Sequence, residues 1–426
     1  MKTPPAPAPS TGSPAPLKKA LTTPLLYFFI LGDVLGAGVY VLVGQVAAES
    51  GGAVWVPLLV AMCLSLLTAA SYAELVTKYP RAGGASHYAT LAYGPFLGFL
   101  AGFCMLAAGV VSVAALARGF GGDYLTEFVT LPVVLVTIVF LVLLALLNAR
   151  GISESTRANV VATVIEVGGL LLVIGLGVWI VLRGDGNPGR LTELGTSRDS
   201  FVGFETSVNV AEETREPRRS YPRALFGALL TAGAVYALVG AAASAAVPQQ
   251  KLTDSSGPLL EVVRAAGGVP PGLFGVVALV AVANGALLTG IMSSRLAYGM
   301  ARDGLLPRFL TKVLPGRRTP WAAISTTTAL SLLLALTGDV STLASTLVLL
   351  LLVVFFLVNT SLLVLRRDTT PGPHFRVPTA VPVLGALSCV LLATRIEHDV
   401  WLRGLIVLAV GGGLGAVAAS RSRRAS

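Results

Sequence analysis

Long apolar runs follow one another from Leu25 almost to the carboxyl terminus, separated by short groups of charged residues. A bilayer core of about 30 Å takes about 20 helical residues. Runs of that kind lie near 23–47, 53–77, 93–117, 131–148, 158–182, 223–247, 272–293, 320–337, 343–365, 379–394 and 400–419. A weaker segment, 201–211, precedes the polar stretch Glu212-Glu213-Thr214-Arg215-Glu216-Pro217-Arg218-Arg219. The pattern predicts an all-α integral membrane protein of about 12 transmembrane helices. Residues 1–20, rich in Pro, Ala and Ser, cannot bury enough apolar surface to fold and read as a disordered cytosolic tail; 420–426 reads as a second tail.

Composition supports a membrane protein. Of 426 residues, 54% are hydrophobic and only 12% charged, too few polar groups to coat a soluble globule of this size. The net charge of +10 raises the question of nucleic acid, but the Lys and Arg form neither a basic face nor an aromatic-interleaved platform. Membrane topology accounts for them better. With the amino terminus inside and every span crossing, 23 of the 31 Lys and Arg fall on the cytosolic side and 8 outside. If 201–211 did not cross, every basic group after it would change sides, so the charge pattern predicts that it crosses. Both termini are then cytosolic, in a plasma membrane. Cys63, Cys104 and Cys389, and His87, His374 and His398, are scattered without ligand spacing, so no metal, disulfide framework or cofactor is expected. No nucleophile–base pairing or phosphate loop supports an enzyme.

Span one reads Leu31-Gly32-Asp33-Val34-Leu35-Gly36-Ala37-Gly38-Val39-Tyr40, with glycines clustered near mid-membrane. This predicts either a helix that opens there, its backbone lining a cavity, or a notch for packing against a second helix. The weak sixth segment carries Phe201-Val202-Gly203-Phe204-Glu205, a second glycine followed by a carboxylate. Interruptions five spans apart are the mark of a five-plus-five inverted repeat, with the site between the two broken helices. The repeats fall at about 21–182 and 191–365, together a ten-helix core of 21–365. Helices 11 and 12, over 366–419, are then an addition.

These strings resemble a known family. Gly32-Asp33-Val34-Leu35-Gly36-Ala37-Gly38-Val39-Tyr40, then Ser71-Tyr72-Ala73-Glu74-Leu75 with Tyr79-Pro80-Arg81-Ala82-Gly83-Gly84, are similar to the amino acid/polyamine/organocation (APC) permeases of the bacterial amino-acid type. The likeness continues through Gly203-Phe204-Glu205, Ala211-Glu212-Glu213 and Pro217-Arg218 to the run from Ser294 to Gly304. The resemblance implies secondary transport of amino acids or related amines by alternating access, proton-coupled or by exchange. It also implies that the substrate carboxylate rests on the N–H groups of Gly36, Ala37 and Gly38, where freed N–H groups at a half-helix start attract an anion. The ammonium would meet carbonyls such as those of Val34, Phe201 and Val202, and Phe204 resembles the family's aromatic gate.

Other polar groups at depth keep two readings each. Glu166, about 13 Å into span five, is a candidate for proton or cation coupling or a structural hydrogen bond. Many proton-coupled members of the family carry a lysine near this point, so a glutamate departs from the pattern. Glu205 is a candidate for coupling or substrate contact, or a structural bond to span one. Asp33 either belongs to the site or caps the reopened helix. Asn284 is a site or packing residue. Glu74 and Arg81 fit an inner gate or a loop salt bridge, and Arg295 and Arg302 read as snorkelling anchors of span eight.

A further departure bears on function. From Phe201 to Ala211 a helix rises only about 16 Å, so the outer half of helix 6 reads as truncated. This predicts a short helix from about Phe201 toward Glu212, after an irregular connection from Arg183. It also leaves open a competing reading, a non-transporting protein of the same fold: a sensor, partner subunit or inactive paralogue.

Overall fold

A computed structural model describes residues 22–35, 38–79, 84–150, 155–193, 217–314, 317, 319–368, 374–396 and 398–425. The described residues form helices joined by turns and loops, with no strand among them. The first half comprises α1 (Thr23–Leu35), α2 (Gly38–Ser50), α3 (Trp55–Lys78), α4 (Gly84–Tyr93), α5 (Pro95–Phe120), α6 (Asp123–Thr126), α7 (Val133–Arg150) and α8 (Ser155–Leu182). The second comprises α9 (Pro217–Ala246), α10 (Gln249–Asp254), α11 (Pro258–Ala266), α12 (Pro271–Arg302), α13 (Trp321–Thr337), α14 (Val340–Leu365), α15 (Ala380–Ala393) and α16 (His398–Ala425).

Eight of the described helical stretches are long and apolar enough to cross a membrane, or nine when α15 and α16, bent by 116°, are counted as one broken span. Of the other expected spans, 320–337 corresponds to α13, a shorter apolar helix of 17 residues, and 201–211 lies outside the described residues. Outward rows of Leu143, Leu146 and Leu147 on α7, and Leu384, Leu387 and Leu391 on α15, are exposed on the isolated chain. Water would penalise such rows, whereas hydrocarbon accepts them.

Short helices break the expected connections. Gly94, at φ 92°, turns α4 into α5 through a backbone conformation open to glycine, and Pro95 then starts α5, where a missing N–H costs nothing. α11 is too short to span. It lays Leu259, Leu260, Val262 and Val263 inward and turns Glu261 and Arg264 outward, so it covers one end of the bundle.

α9 packs on α1, α3 and α8. α1 is fastened along it by Thr23 Oγ1 donating to Ser220 Oγ at 2.9 Å and Tyr27 OH donating to Thr231 Oγ1 at 3.0 Å. α5 forms the centre of the other packing group, against α4, α7, α12, α13, α14 and α16. The two groups meet where α8 touches α12 and where α3 touches α14. Beyond α8, the connection from Arg183 to Glu193 holds a 3-10 turn, Pro188–Thr192, pinned to α3 by Trp55 Nε1 on the Leu191 carbonyl at 3.0 Å. The short helix expected from Phe201 toward Glu212 lies outside the described residues.

Candidate functional site

Asn159, Thr163 and Glu166 occupy one face of α8, spaced four and three residues apart as helical geometry requires. Gly32 of α1 lies against that face so closely that a Cβ there would stand 2.0 Å from Thr163 Oγ1 and 3.2 Å from Asn159 Oδ1. The glycine is what lets the two backbones approach. Thr163 Oγ1 in turn donates to the Asn159 carbonyl at 2.8 Å.

Glu166 is fully buried. Asn284, reaching across from α12, donates through Nδ2 to Glu166 Oε1 and to Asn159 Oδ1, each at 3.1 Å. Glu166 Oε2 and Asn159 Nδ2 are also buried, and among the described residues neither has a hydrogen-bond partner. An ionised carboxylate in such surroundings must take up a proton or be paired.

Further along α1 a tyrosine of α9 joins it. Tyr236 of α9 donates its hydroxyl to the Val34 carbonyl and to that of Leu35, the latter at 2.9 Å. Both carbonyls belong to α1, directly before residues 36–37, which lie outside the described residues. Glu166 and Asp33 lie within electrostatic reach of the Tyr236 hydroxyl. Asp33 stands within α1, two residues before its last, Leu35. Where α2 begins, no described atom lies within 4 Å of where a Cβ on Gly38 would stand.

Aromatic rings close one side. Tyr40 of α2 donates to the Glu166 carbonyl at 2.8 Å, and Tyr124 of α6 donates to the Tyr40 carbonyl at 2.7 Å. With Phe274 of α12 these rings form a fully buried triangle, centroids 6.0 to 6.3 Å apart. α10 and α11 pack on α2 beside it, and Gln249 Nε2 donates to the Ala47 carbonyl at 2.8 Å. Outside the spans, Arg264 bridges Glu261, at 2.5 Å, and Glu127, and these carboxylates raise the guanidinium's pKa against the opposing effect of burial.

The structure therefore brings Glu166 and Asn284 into direct contact and sets Gly32 of α1 against the same face of α8, while the Val34 carbonyl meets Tyr236. Gly36, Ala37, Phe201, Val202, Phe204, Glu205 and Arg81 lie outside the described residues. Sequence reading missed Asn159, Thr163, Tyr40, Tyr124 and Tyr236. The polar face of α8 was legible in its helical spacing; the tyrosines gave no local signal, since Tyr236 meets α1 across some two hundred residues of chain.

Glu74 serves elsewhere. Buried on α3, it accepts Arg366 Nε at 3.0 Å, Arg366 Nη2 at 2.6 Å and the Val377 N–H at 2.8 Å, and so ties α3 to the α14–α15 connection. Lys78 adds donations to the carbonyls of Leu365 and Asp368 at 2.6 and 2.9 Å. Asn359 of α14, fully buried, contacts Ser71 and Thr68 of α3 at 2.7 and 3.0 Å. Arg295 and Arg302 lie on the last turns of α12, both exposed.

A multi-pass helical bundle with an acidic polar site at the junction of two packing groups is the architecture of a membrane carrier. The chain belongs to the amino acid permease family, whose model matches residues 21–396. It is 31% identical to an uncharacterised transporter of Mycobacterium tuberculosis, over 89% of this chain and 87% of that protein. It is 25% identical to a branched-chain amino acid permease of Bacillus subtilis, over 94% of this chain and 93% of that protein. A methylthioribose transporter of Bacillus subtilis is 26% identical, over 89% of both chains. The protein is a membrane transporter and not an enzyme, and these relatives lend no support to the non-transporting reading.

Proposed function

We propose that this permease carries an amino acid or related amine by alternating access, coupled to a proton held at Glu166. The observation that carries the reading is the Glu166 cluster: a fully buried carboxyl, one oxygen held by Asn284 and the other without a partner among the described residues, on the face of α8 against which Gly32 of α1 lies. No Lys or Arg occurs in α1, α2, 159–182 of α8, 224–246 of α9 or 271–294 of α12. The surroundings therefore favour a cationic group or a proton.

In this reading the N–H groups of Gly36, Ala37 and Gly38 receive the substrate carboxylate, and the carbonyls of Val34, Phe201 and Val202 receive its ammonium. Phe204 closes over it, Asn284 orients Glu166, and Glu205 is the second coupling candidate. Relatives with named substrates differ in what they carry, a branched-chain amino acid in one and methylthioribose in another, so similarity alone selects no substrate. The ten-helix core over 21–365, its two inverted repeats and the added helices 11 and 12 complete the proposal. So does a plasma-membrane location with both termini cytosolic, which the bias of 23 basic residues to 8 supports.

Counterflow in proteoliposomes tests it, with labelled amino acids and methylthioribose as alternative solutes. Saturable exchange of an amino acid is expected, with a pH dependence that Glu166→Gln flattens. Exchange of methylthioribose alone would replace the amine reading. An unchanged pH profile in Glu166→Gln would move the coupling to Glu205 or elsewhere.

A further inference from the structure

At one corner of the bundle the connection from α12 to α13 turns apolar and basic side chains outward together. Gly304, at φ 76°, ends α12, and the Leu305 N–H returns to the Met300 carbonyl at 2.8 Å. A 3-10 turn, Arg308–Thr311, follows and packs on both α12 and α13. Leu310 is its anchor, buried against Ala297, Ala301 and Ala323. With that side fixed, Phe309 and Val313 face out, 50% and 40% exposed, and Trp321, the first residue of α13, is 43% exposed. Thr319 Oγ1 donates to the Ala149 carbonyl at 2.9 Å, which brings the end of α7 to the same corner.

The charge of this corner is of one sign. From Arg302 to Trp321 the sequence holds five basic residues and one acid, Asp303. Arg302, Arg308, Lys312 and Arg317, with Arg150 at the end of α7, are exposed, and no carboxylate among the described residues pairs with any of them. Lys78 and Arg366, by contrast, are engaged by carbonyls and by Glu74. The corner also stands where the outward apolar rows stop: Leu143, Leu146 and Leu147 lead to Arg150, and Leu330 and Leu333 follow Trp321. Water penalises the exposed apolar groups and hydrocarbon penalises the cations, whereas the headgroup layer of a bilayer accepts both.

We propose that this corner binds an anionic phospholipid: the basic side chains of the α12–α13 connection and Arg150 face its phosphate, while Phe309, Val313 and Trp321 lie against its glycerol and upper acyl chains. A soluble phosphate leaves the three apolar groups in water, and a lipid of no net charge leaves the cations without compensation. The two features together select a lipid with net negative charge. The site needs only the membrane setting of the chain and not its substrate; the orientation proposed above assigns the lipid to the cytosolic leaflet.

The test is competition between phosphatidylglycerol and phosphatidylcholine of identical acyl chains, equimolar in neutral detergent with the purified full chain, the retained lipids being counted by native mass spectrometry. Wild type is expected to retain the anionic lipid at least about tenfold over the neutral one, since each Lys or Arg near a membrane surface is worth about fivefold. Arg308→Gln/Lys312→Gln/Arg317→Gln should lose most of that preference. Arg223→Gln/Arg367→Gln/Arg376→Gln, which removes the same charge from exposed positions elsewhere, should keep it. Phe309→Ser should weaken both lipids alike.

No preference in wild type, or an equal loss in the second triple variant, overturns the proposal. So does unchanged retention of both lipids in Phe309→Ser, or displacement by soluble glycerol 3-phosphate as readily as by phosphatidylglycerol. None of these outcomes touches the transport reading, because no substrate is present. Should the first triple variant not fold, Lys312→Gln alone, on an exposed irregular segment, is expected to cut the preference about fivefold, and an unchanged preference refutes the site.

Discussion

Replacing Arg366 by alanine removes half of an ion pair that neither water nor another cation can easily replace. The two side chains are 10% and 1% exposed for Arg366 and Glu74, so little solvent reaches the carboxylate once the guanidinium is gone. Glu74 has three close donors, two of them from Arg366, at 3.0 and 2.6 Å; the variant keeps only the Val377 N–H at 2.8 Å. Breaking a buried pair from one side costs about 3–5 kcal/mol, against about 0–1 kcal/mol for an exposed pair. Arg366 also donates to the Val377 carbonyl at 2.6 Å and to Thr379 Oγ1 at 2.9 Å, which places the expected loss toward the upper end. Arg366→Lys keeps the charge but loses the two-pronged geometry, so it should fall between wild type and Arg366→Ala.

The double variant Glu74→Leu/Arg366→Met should recover most of the stability, because apolar groups of similar volume need no partners. The measurement is unfolding by increasing sodium dodecyl sulfate in mixed micelles, followed by helicity, for wild type, both single variants and the double variant. A loss below about 0.5 kcal/mol in Arg366→Ala, or a double variant whose loss is the sum of the singles, would refute the argument that this pair is buried and coupled.

Gly32→Ala should destabilise the α1–α8 contact by about 1–3 kcal/mol, since its Cβ would stand 2.0 Å from Thr163 Oγ1. Adding Thr163→Ala removes that atom and should restore part of the loss, which thermal unfolding would show. Asp339 caps α14 by accepting the Thr342 N–H at 2.7 Å, and this bond holds its carboxyl below the ordinary range. Its contribution is therefore present above the unfolded pKa of about 4 and lost as pH falls through the lower folded value. Asp339→Ala should cost about 1 kcal/mol at neutral pH and match wild type in strong acid, while Asp339→Asn keeps the cap at both. Reporter fusions at Ser426 should respond from the cytosolic side; activity only from outside would overturn the orientation.

Much of the fold was legible because crossing a bilayer imposes a length and an apolar composition on each segment. α3, α5, α7, α8 and α14 fall within a few residues of their expected spans for this reason. α12 continues to Arg302, past the expected end at 293, because the Ser294–Arg302 segment can form helix whether or not lipid surrounds it. α4, α10 and α11 were missed because six to ten residues that only cover an end obey no membrane length. Within the site, Glu166 and Asn284 stood out as polar groups in apolar helices, whereas Glu74 could not be assigned, because Arg366 lies 292 positions away.

Composition, the period of the apolar runs and the bias of Lys and Arg were enough to make this chain a multi-span helical membrane protein, and its glycine and carboxylate positions set the expectation from which the site is proposed. These are one-dimensional properties, since a segment either carries enough apolar residues to leave water or does not. Which polar groups complete one another was decided only in three dimensions. Asn284 meets Glu166, Tyr236 meets α1 and Arg366 meets Glu74 because helices far apart in sequence pack side by side. A buried hydrogen bond is worth making only at short range and in one direction, so its partner is selected by packing rather than by position along the chain.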